Sequence, residues 1–370
     1  MPSRPTSTVP GIVSVLLHCL VVGLTTPTSG LLAQPTGEVI AQVESALAER
    51  DARIAALEAD AAVYAKPEDW PAPPAELTWP VHRVIELGPG VQPFPWELWP
   101  EDAPPGTRIV VRGKRIDERG RPVNIRPALR GSARWSRRLD GTVVEFQGIV
   151  FLPDPDTTFF EFGEELDVIV RGCYLRGDVL DTRDALNHHR TGFMAVIDTQ
   201  VSGAAFGLKG VDYARGVRLY TVTDDAIQST PILEGAIVDG LVRYRDTHAD
   251  AVEYAAFEGI RWDGLVARHL DGGGIIAKHA RDVVILNSTI DMASDYAAYA
   301  LAIQGDATDV RWWGGAIRGR VRILGEVDNV EFRGVAFETP DRQIKALADK
   351  GVRFIDCTNR GEPLLLGPGL

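Results

Sequence analysis

One short pattern dominates the chain from residue 144 onward: apolar, any, apolar, any, Gly or polar, apolar. It is written as Val144-Glu145-Phe146-Gln147-Gly148-Ile149, Val168-Ile169-Val170-Arg171-Gly172-Cys173, Ile260-Arg261-Trp262-Asp263-Gly264-Leu265 and Val330-Glu331-Phe332-Arg333-Gly334-Val335. Shorter copies begin at Val196, Val217, Ala236, Val283, Val310 and Val352. Alternation with period two marks a strand with one buried side, and the Gly or polar residue is a turn signal. The copies recur about every 23 residues, a period that predicts a solenoid. Each copy is too short and strand-rich for paired helices, and the fixed Leu/Asn scaffold of leucine-rich repeats is absent. Uneven intervals fit a parallel β-helix of about ten coils, whose corner loops absorb insertions. Equivalent residues then stack at ~4.8 Å per turn. Cys173 and Cys357 fall in one inward column about eight turns apart, roughly 38 Å, beyond the reach of a disulfide. Both are expected to be buried free thiols.

The N-terminal part reads differently. Arg4 is followed by an apolar run from Gly11 to Leu24, about 14 residues and short of a membrane span. Residues 1–33 therefore read as a secretory signal cleaved after Gly30 or Ala33. That implies a secreted, periplasmic or cell-surface protein with no transmembrane anchor after cleavage. Ile40, Leu47, Ile54 and Ala61 recur every seven residues, with Val43 and Leu57 at the second apolar position. This predicts a helical unit over 38–64, serving as a coiled-coil stalk for a homo-oligomer or packing on the body. Residues 65–105 hold many prolines together with Trp70, Trp79, Trp96 and Trp99. So many large aromatics predict a linker and cap that covers part of the body.

The repeats, with the opening segment Arg83-Val84-Ile85-Glu86-Leu87-Gly88-Pro89-Gly90, resemble the right-handed parallel β-helix proteins of the pectate-lyase-like superfamily. The resemblance covers roughly residues 80–360. It implies an all-β, right-handed parallel β-helix and a polysaccharide as partner. That superfamily includes lyases, hydrolases, epimerases and non-catalytic surface proteins, so the fold alone does not fix an activity. Two functions follow: a secreted protein that binds and processes an acidic polysaccharide, or a non-catalytic adhesive β-helix.

Composition narrows the partners. The 370 residues include 39 basic and 51 acidic side chains, a formal charge of −12, and only three Cys. This excludes a disulfide-dense mini-protein and argues against nucleic acid as partner, whose phosphates call for a basic surface. One island departs from the overall acidity: between Arg112 and Arg138 lie nine Arg and one Lys. It is either a capture patch for an anionic polymer or an insert salt-bridged to acidic coils.

Candidate chemistry lies in a second strand of each turn. Asp225-Ala226-Ile227-Gln228 matches Asp250-Ala251-Val252-Glu253, preceded by Leu208-Lys209 and followed by Ala277-Lys278 and Ile303-Gln304. Pointing the apolar member inward predicts an outward ladder of Lys209, Gln228, Glu253, Lys278 and Gln304. Beside it stand Asp224, Asp225, His248, Asp250 and His279. Two carboxylates one turn apart approach the ~5–5.5 Å of a retaining glycosidase pair. The Asp224-Asp225 step resembles the paired aspartates of polygalacturonase-type hydrolases, although that family's Asn-Thr-Asp, Gly-His-Gly and Arg-Ile-Lys are missing. A lyase would instead need a uronate carboxylate neutralised, by Gln228 or by Ca²⁺ on Asp225 and Asp250 together with Glu253 or Asp224. Its base would be Lys278, Lys209 or His248. The expected catalytic set is thus Asp225, His248, Asp250, Glu253 and Lys278, with Lys209, Gln228, His279 and Gln304 binding substrate. The competing expectation is that these aspartates are corner and cap residues. His188-His189 lacks partners at zinc-ligand spacing and reads as a loop pair.

Overall fold

The computed structural model describes residues 37–93, 103–114, 126–130, 133–135, 141–152, 160–162, 167–177, 184–188, 192–241, 249–270, 272–292 and 299–364. The expected signal over 1–33, Trp96, Trp99, His189 and His248 lie outside the described residues, as does most of the basic island. Strands dominate. One sheet of 24 strands and another of nine are both built from parallel pairings between successive turns. The single antiparallel pairing among the described residues joins Thr358–Asn359 to Glu362–Pro363 at the C-terminal end. The chain is a parallel β-solenoid with three faces. The larger sheet wraps two of them because Ala280–Met292 and Ala307–Arg318 run unbroken through the corner.

The repeated template is the first face and the corner after it. Its third residue points inward and stacks from turn to turn: Phe146 on Val170, Val196, Ala214, Leu233 and Trp262. The copies expected to start at Val196, Val217 and Ala236 need correcting. There the first-face strands are Met194–Ile197, Tyr213–Arg215 and Ile232–Glu234; Val196 is the third residue of its copy, and Val217 and Ala236 follow the corner. The template's Gly or polar position is a left-handed corner residue, with φ of 60° at Gly172, 70° at Gly264 and 47° at Asn287. Only Gly, Asn and Asp adopt that conformation cheaply, which is why the position is so regular in composition. The next residue turns back inward, and here Cys173 and Cys357 sit as buried free thiols. Burial pushes Cys173 up to about 12 and Cys357 up to about 11.

The basic island is not only an insert. Pro127–Arg130 is a second-face strand, paired in register with Gly90–Pro93 and with the strand at Val150.

Helix α1, Gly37–Ala59, lies against the second face. That face carries an outward column of alternating charge: Asp239 pairs with Arg268, and further on Asp291 with Arg318 and Arg318 with Glu338. Side chains of α1 complete it. Arg50 bonds Asp291 at 2.8 Å, and Arg53 pairs with Glu338. The imidazole of His269 bridges Asp239 (Nδ1, 2.6 Å) and Asp51 of the helix (Nε2, 3.1 Å). Ile54 and Leu57 bury against Ala316 and Ala336. Over this stretch, the apolar positions expected to serve a coiled-coil seam are spent on the body.

After α1 the chain turns onto the first face and runs back along it. The Ala62 N–H donates to the Gly334 carbonyl at 3.1 Å. Tyr64 exchanges two hydrogen bonds with the Asn287 amide, at 2.8 and 2.9 Å. Lys66 pairs with Glu234 at 2.7 Å, which also accepts from Trp70 and Tyr213. Leu77 and Trp79 then cover an outward apolar patch that includes Val143, Ile169, Ile197 and Tyr213. The Arg108 Nε bonds the Trp79 carbonyl at 2.7 Å. This strap reaches the first turn, Val81–Leu87, from which the solenoid begins.

At the other end helix α2, Asp341–Asp349, follows the last described strand of the third face in the adjoining turn. Its Ile344 and Leu347 are buried. Lys350 donates to the carbonyls of Ile323, Leu324 and Gly325 at 2.8–3.0 Å. Free strand edges invite pairing with other chains, and this helix covers one.

Candidate functional site

The third face carries polar side chains that the strands themselves do not require. Its register pairs Lys209 with Gln228 and Gln228 with Glu253, as the expected ladder has it. The ladder then ends. Val252 pairs with Ile275 rather than Ala277, so Ile276 follows Glu253 in the outward column, and Ala302 and Arg322 follow Ile276. Lys278 and Gln304 come just after Ala277 and Ile303, where the strands stop, and both are exposed. They remain level with each other but not with Glu253. The reason is parity: Ile275 and Ala277 point the same way, so alternation permits either register. The observed one sets bulky Ile275 on Val252 and small Ala277 opposite Tyr254, whose ring already packs edge-on against Phe257. His279 is likewise exposed, its imidazole against the Gly305 backbone. Among the described residues, no hydrogen bond or ion pair joins Lys278, His279 or Gln304 to the carboxylates described next.

The corner leading into these strands delivers Asp225 and Asp250, which are 2% and 3% exposed. Glu253 is half-buried. One carboxylate oxygen from each of the three lies within 4.8 Å of the others. The backbone sets this spacing: the Ala226 N–H donates to the Asp250 carbonyl at 3.0 Å, laddering the two turns. Gly273, paired with Asp250 one turn on, makes the room, since a Cβ there would lie 2.0 Å from Asp250 Oδ1.

Asp225 is the member whose environment is most unusual. Its Oδ2 receives a long hydrogen bond from Gln228 Nε2 at 3.5 Å. Its Oδ1 is buried with no hydrogen-bond partner among the described residues. Burial, then the hydrogen bond and charge of Glu253, then Asp224 and Asp250, push the Asp225 carboxyl up to about 9. A proton retained on Asp225 resolves both facts, since it supplies the missing donor and lowers the local negative charge. The carboxylate that such a proton faces is Glu253, one turn on. Three hard oxygen donors at this spacing also suit Ca²⁺, which would take the proton's place. That donor set is Asp225, Asp250 and Glu253, one of the two expected; Asp224, the alternative to Glu253, is half-buried next to it and does not belong to it.

Two cation–aromatic pairs bracket the cluster. Lys209 Nζ lies 4.8 Å from the Phe206 ring. Arg322 lies 3.9 Å from the Tyr299 ring and bonds its hydroxyl at 3.1 Å. Phe206, Tyr299 and Arg322 were not among the expected site residues. A signal for the first was present: Phe206/Lys209, Asp225/Gln228 and Asp250/Glu253 share one spacing, a corner residue three before the ladder residue.

These features define a parallel β-solenoid with a buried carboxyl cluster at one edge of its third face. No protein-family model, no curated protein and no solved structure matches the chain. No helix of the described residues is long and apolar enough to cross a membrane.

Proposed function

We propose that this protein binds an acidic polysaccharide along its third face and processes it by acid–base chemistry at Asp225 and Glu253. The observation that carries this reading is the meeting of the buried Asp225 carboxyl with half-buried Glu253 one turn on, their oxygens within 4.8 Å. Asp225 is too buried to touch a glycan, so Glu253 is the group that meets the glycosidic oxygen, with Asp225 holding the proton behind it. Protonating the leaving oxygen is common to hydrolysis and to β-elimination. Lys209 and Arg322, on either side, supply positive charge for substrate carboxylates, and Gln228 a neutral donor. Ca²⁺ on Asp225, Asp250 and Glu253 would supply a Lewis acid and further charge neutralisation. The reading carries with it right-handed winding, the sense that crossovers between parallel strands adopt, and kinship with the pectate-lyase-like superfamily. It also takes the apolar N-terminal run as an export signal.

The test is a panel of acidic and neutral glycans incubated with purified protein. Unsaturated products absorbing in the ultraviolet indicate a lyase, and new reducing ends without them a hydrolase. Glu253→Gln should lower turnover by about 10²–10⁴ while the melting temperature holds. The near-complete burial of Asp225 and Asp250 favours a second reading, a non-catalytic adhesive solenoid. In that case no glycan yields either product.

A further inference from the structure

We propose a second ligand site, at the corner between the first and second faces, that holds a sugar residue bearing one anionic group. The site is a cleft of about 520 Å³ lined by Arg126, Tyr174, Asp198, Gln200 and Arg218 over the corner glycines. The register explains its shape. Ala128 pairs with Val150, Val150 with Tyr174, Tyr174 with Gln200 and Gln200 with Arg218. Two residues earlier in each turn, the corner position therefore reads Arg126, Gly148, Gly172, Asp198 and Gly216. Gly148 and Gly172 carry no side chain, and a Cβ on either would meet nothing within 4 Å. The result is a trough along the corner.

Charge marks the trough as a binding site. Arg126 reaches past Gly148 to the Gly172 carbonyl at 3.5 Å, and Arg218 is exposed at the far end. Neither is ion-paired among the described residues, although acids outnumber bases 51 to 39. Elsewhere Arg108, Arg171, Arg268 and Arg318 each have a carboxylate partner. Two guanidiniums without a carboxylate partner among the described residues line one cleft, and each suits a carboxylate or sulfate. Tyr174 and Gln200, both half-buried, form the wall between them. Asp198 completes the floor, its Oδ1 lying 2.4 Å from where a Cβ of Gly216 would be. That carboxylate repels a bare oxyanion but accepts hydrogen bonds from hydroxyls. A neutral sugar would leave both arginines without an anion. A sugar ring with one anionic group uses the whole set: one fork for the anion, the other arginine with Asp198 and Gln200 for hydroxyls, and the Tyr174 ring for the sugar face. Arg126 thus gives the basic island of the sequence a specific task. For its ligand class the inference rests on the acidic-glycan reading of the third face, but it needs no catalysis there.

Calorimetric titration of the full chain tests it, with a uronate tetrasaccharide, a sulfated tetrasaccharide, a neutral tetrasaccharide and inorganic sulfate as probes. One or both anionic sugars should bind at two sites per chain, and the neutral sugar and inorganic sulfate should not bind the corner. The two anionic probes identify which group the forks accept. Arg126→Ala with Arg218→Ala should reduce the stoichiometry to one and weaken corner binding at least about tenfold (one hydrogen-bonded charge pair, ~1.4 kcal/mol), at unchanged melting temperature. Asp225→Asn should leave that corner binding as it is. Unaltered stoichiometry in the double arginine variant would overturn the proposal, as would inorganic sulfate binding as well as the sugars. Loss of a site in Asp225→Asn alone, with the arginine variant unaffected, supports the third-face reading and overturns this one. No binding of either anionic sugar overturns both.

Discussion

Replacing Asp225 by Asn should stabilise the protein at neutral pH and flatten the pH dependence of its unfolding. In the unfolded chain this carboxyl ionises near its ordinary value of 3.8, whereas in the fold it is pushed up to about 9. Over the interval between, folding must take up a proton, at a cost of ~1.4 kcal/mol for each pH unit. The sign follows: the full stability is present below about pH 4, is lost progressively as pH rises, and levels off above about 9. At pH 7 some three units have been crossed, so this one group costs roughly 4 kcal/mol. Asn has the same shape, carries no proton to lose, and can donate its amide N–H to Glu253. The variant should therefore gain about 2–4 kcal/mol at pH 7 and almost nothing at pH 4. Urea unfolding of both proteins from pH 4 to 9 in a chelator measures the difference, and other titrating groups cancel in it. Saturating Ca²⁺ should remove the slope in the wild type by replacing the proton, and should do little in the variant. Parallel stability curves would refute the reasoning, because they would mean that Asp225 is ionised in the fold.

Gly273→Ala puts a Cβ 2.0 Å from Asp250 Oδ1 and should cost about 1–3 kcal/mol; thermal melts should show the cost shrinking in an Asp250→Ala background. Against the upward push of burial, the hydrogen bonds and charges of His269 and Arg268 hold Asp239 below the usual carboxylate range. That stabilisation is present above about pH 4 and is lost as pH falls through the lowered value. His269→Ala should cost about 1–3 kcal/mol at neutral pH, weaken the acid limb of the stability curve, and speed hydrogen exchange in α1. Lys278→Met alters an exposed residue and should change stability by no more than about 0.5 kcal/mol; a larger loss in melting experiments would contradict the register.

The corners were the most legible part of the chain, because a left-handed φ restricts composition at Gly172, Gly264 and Asn287 whatever packs nearby. Strand parity was legible for a similar reason, and it placed Lys209, Gln228 and Glu253 together correctly. Position along a strand was not. A shift of two residues preserves every inward and outward assignment, so Lys278 and Ile276 could not be told apart by pattern. Short strands carry little signal: Tyr213–Arg215 offers one inward side chain, Ala214, and Val217 beyond the corner is the more apolar residue. The burial of Asp225 was also beyond the sequence, since it depends on which turn lies over which. Gly273 hinted at it, but a glycine run reads equally well as a loop.

The strap has a consequence for how the molecule comes apart and together. A solenoid whose turns touch only their neighbours frays from its ends and melts in stages. Here Ala62 is fastened to Gly334, and Trp79 to Arg108, so an early turn and a late one are held by the same short piece of chain. Losing either end releases contacts across most of the body's length, which turns a row of semi-independent repeats into one cooperative unit. During synthesis the order is inverted: Arg50 and Arg53 leave the ribosome long before their partners Asp291 and Glu338. These earlier-made residues therefore settle only after the late turns that hold their partners have formed.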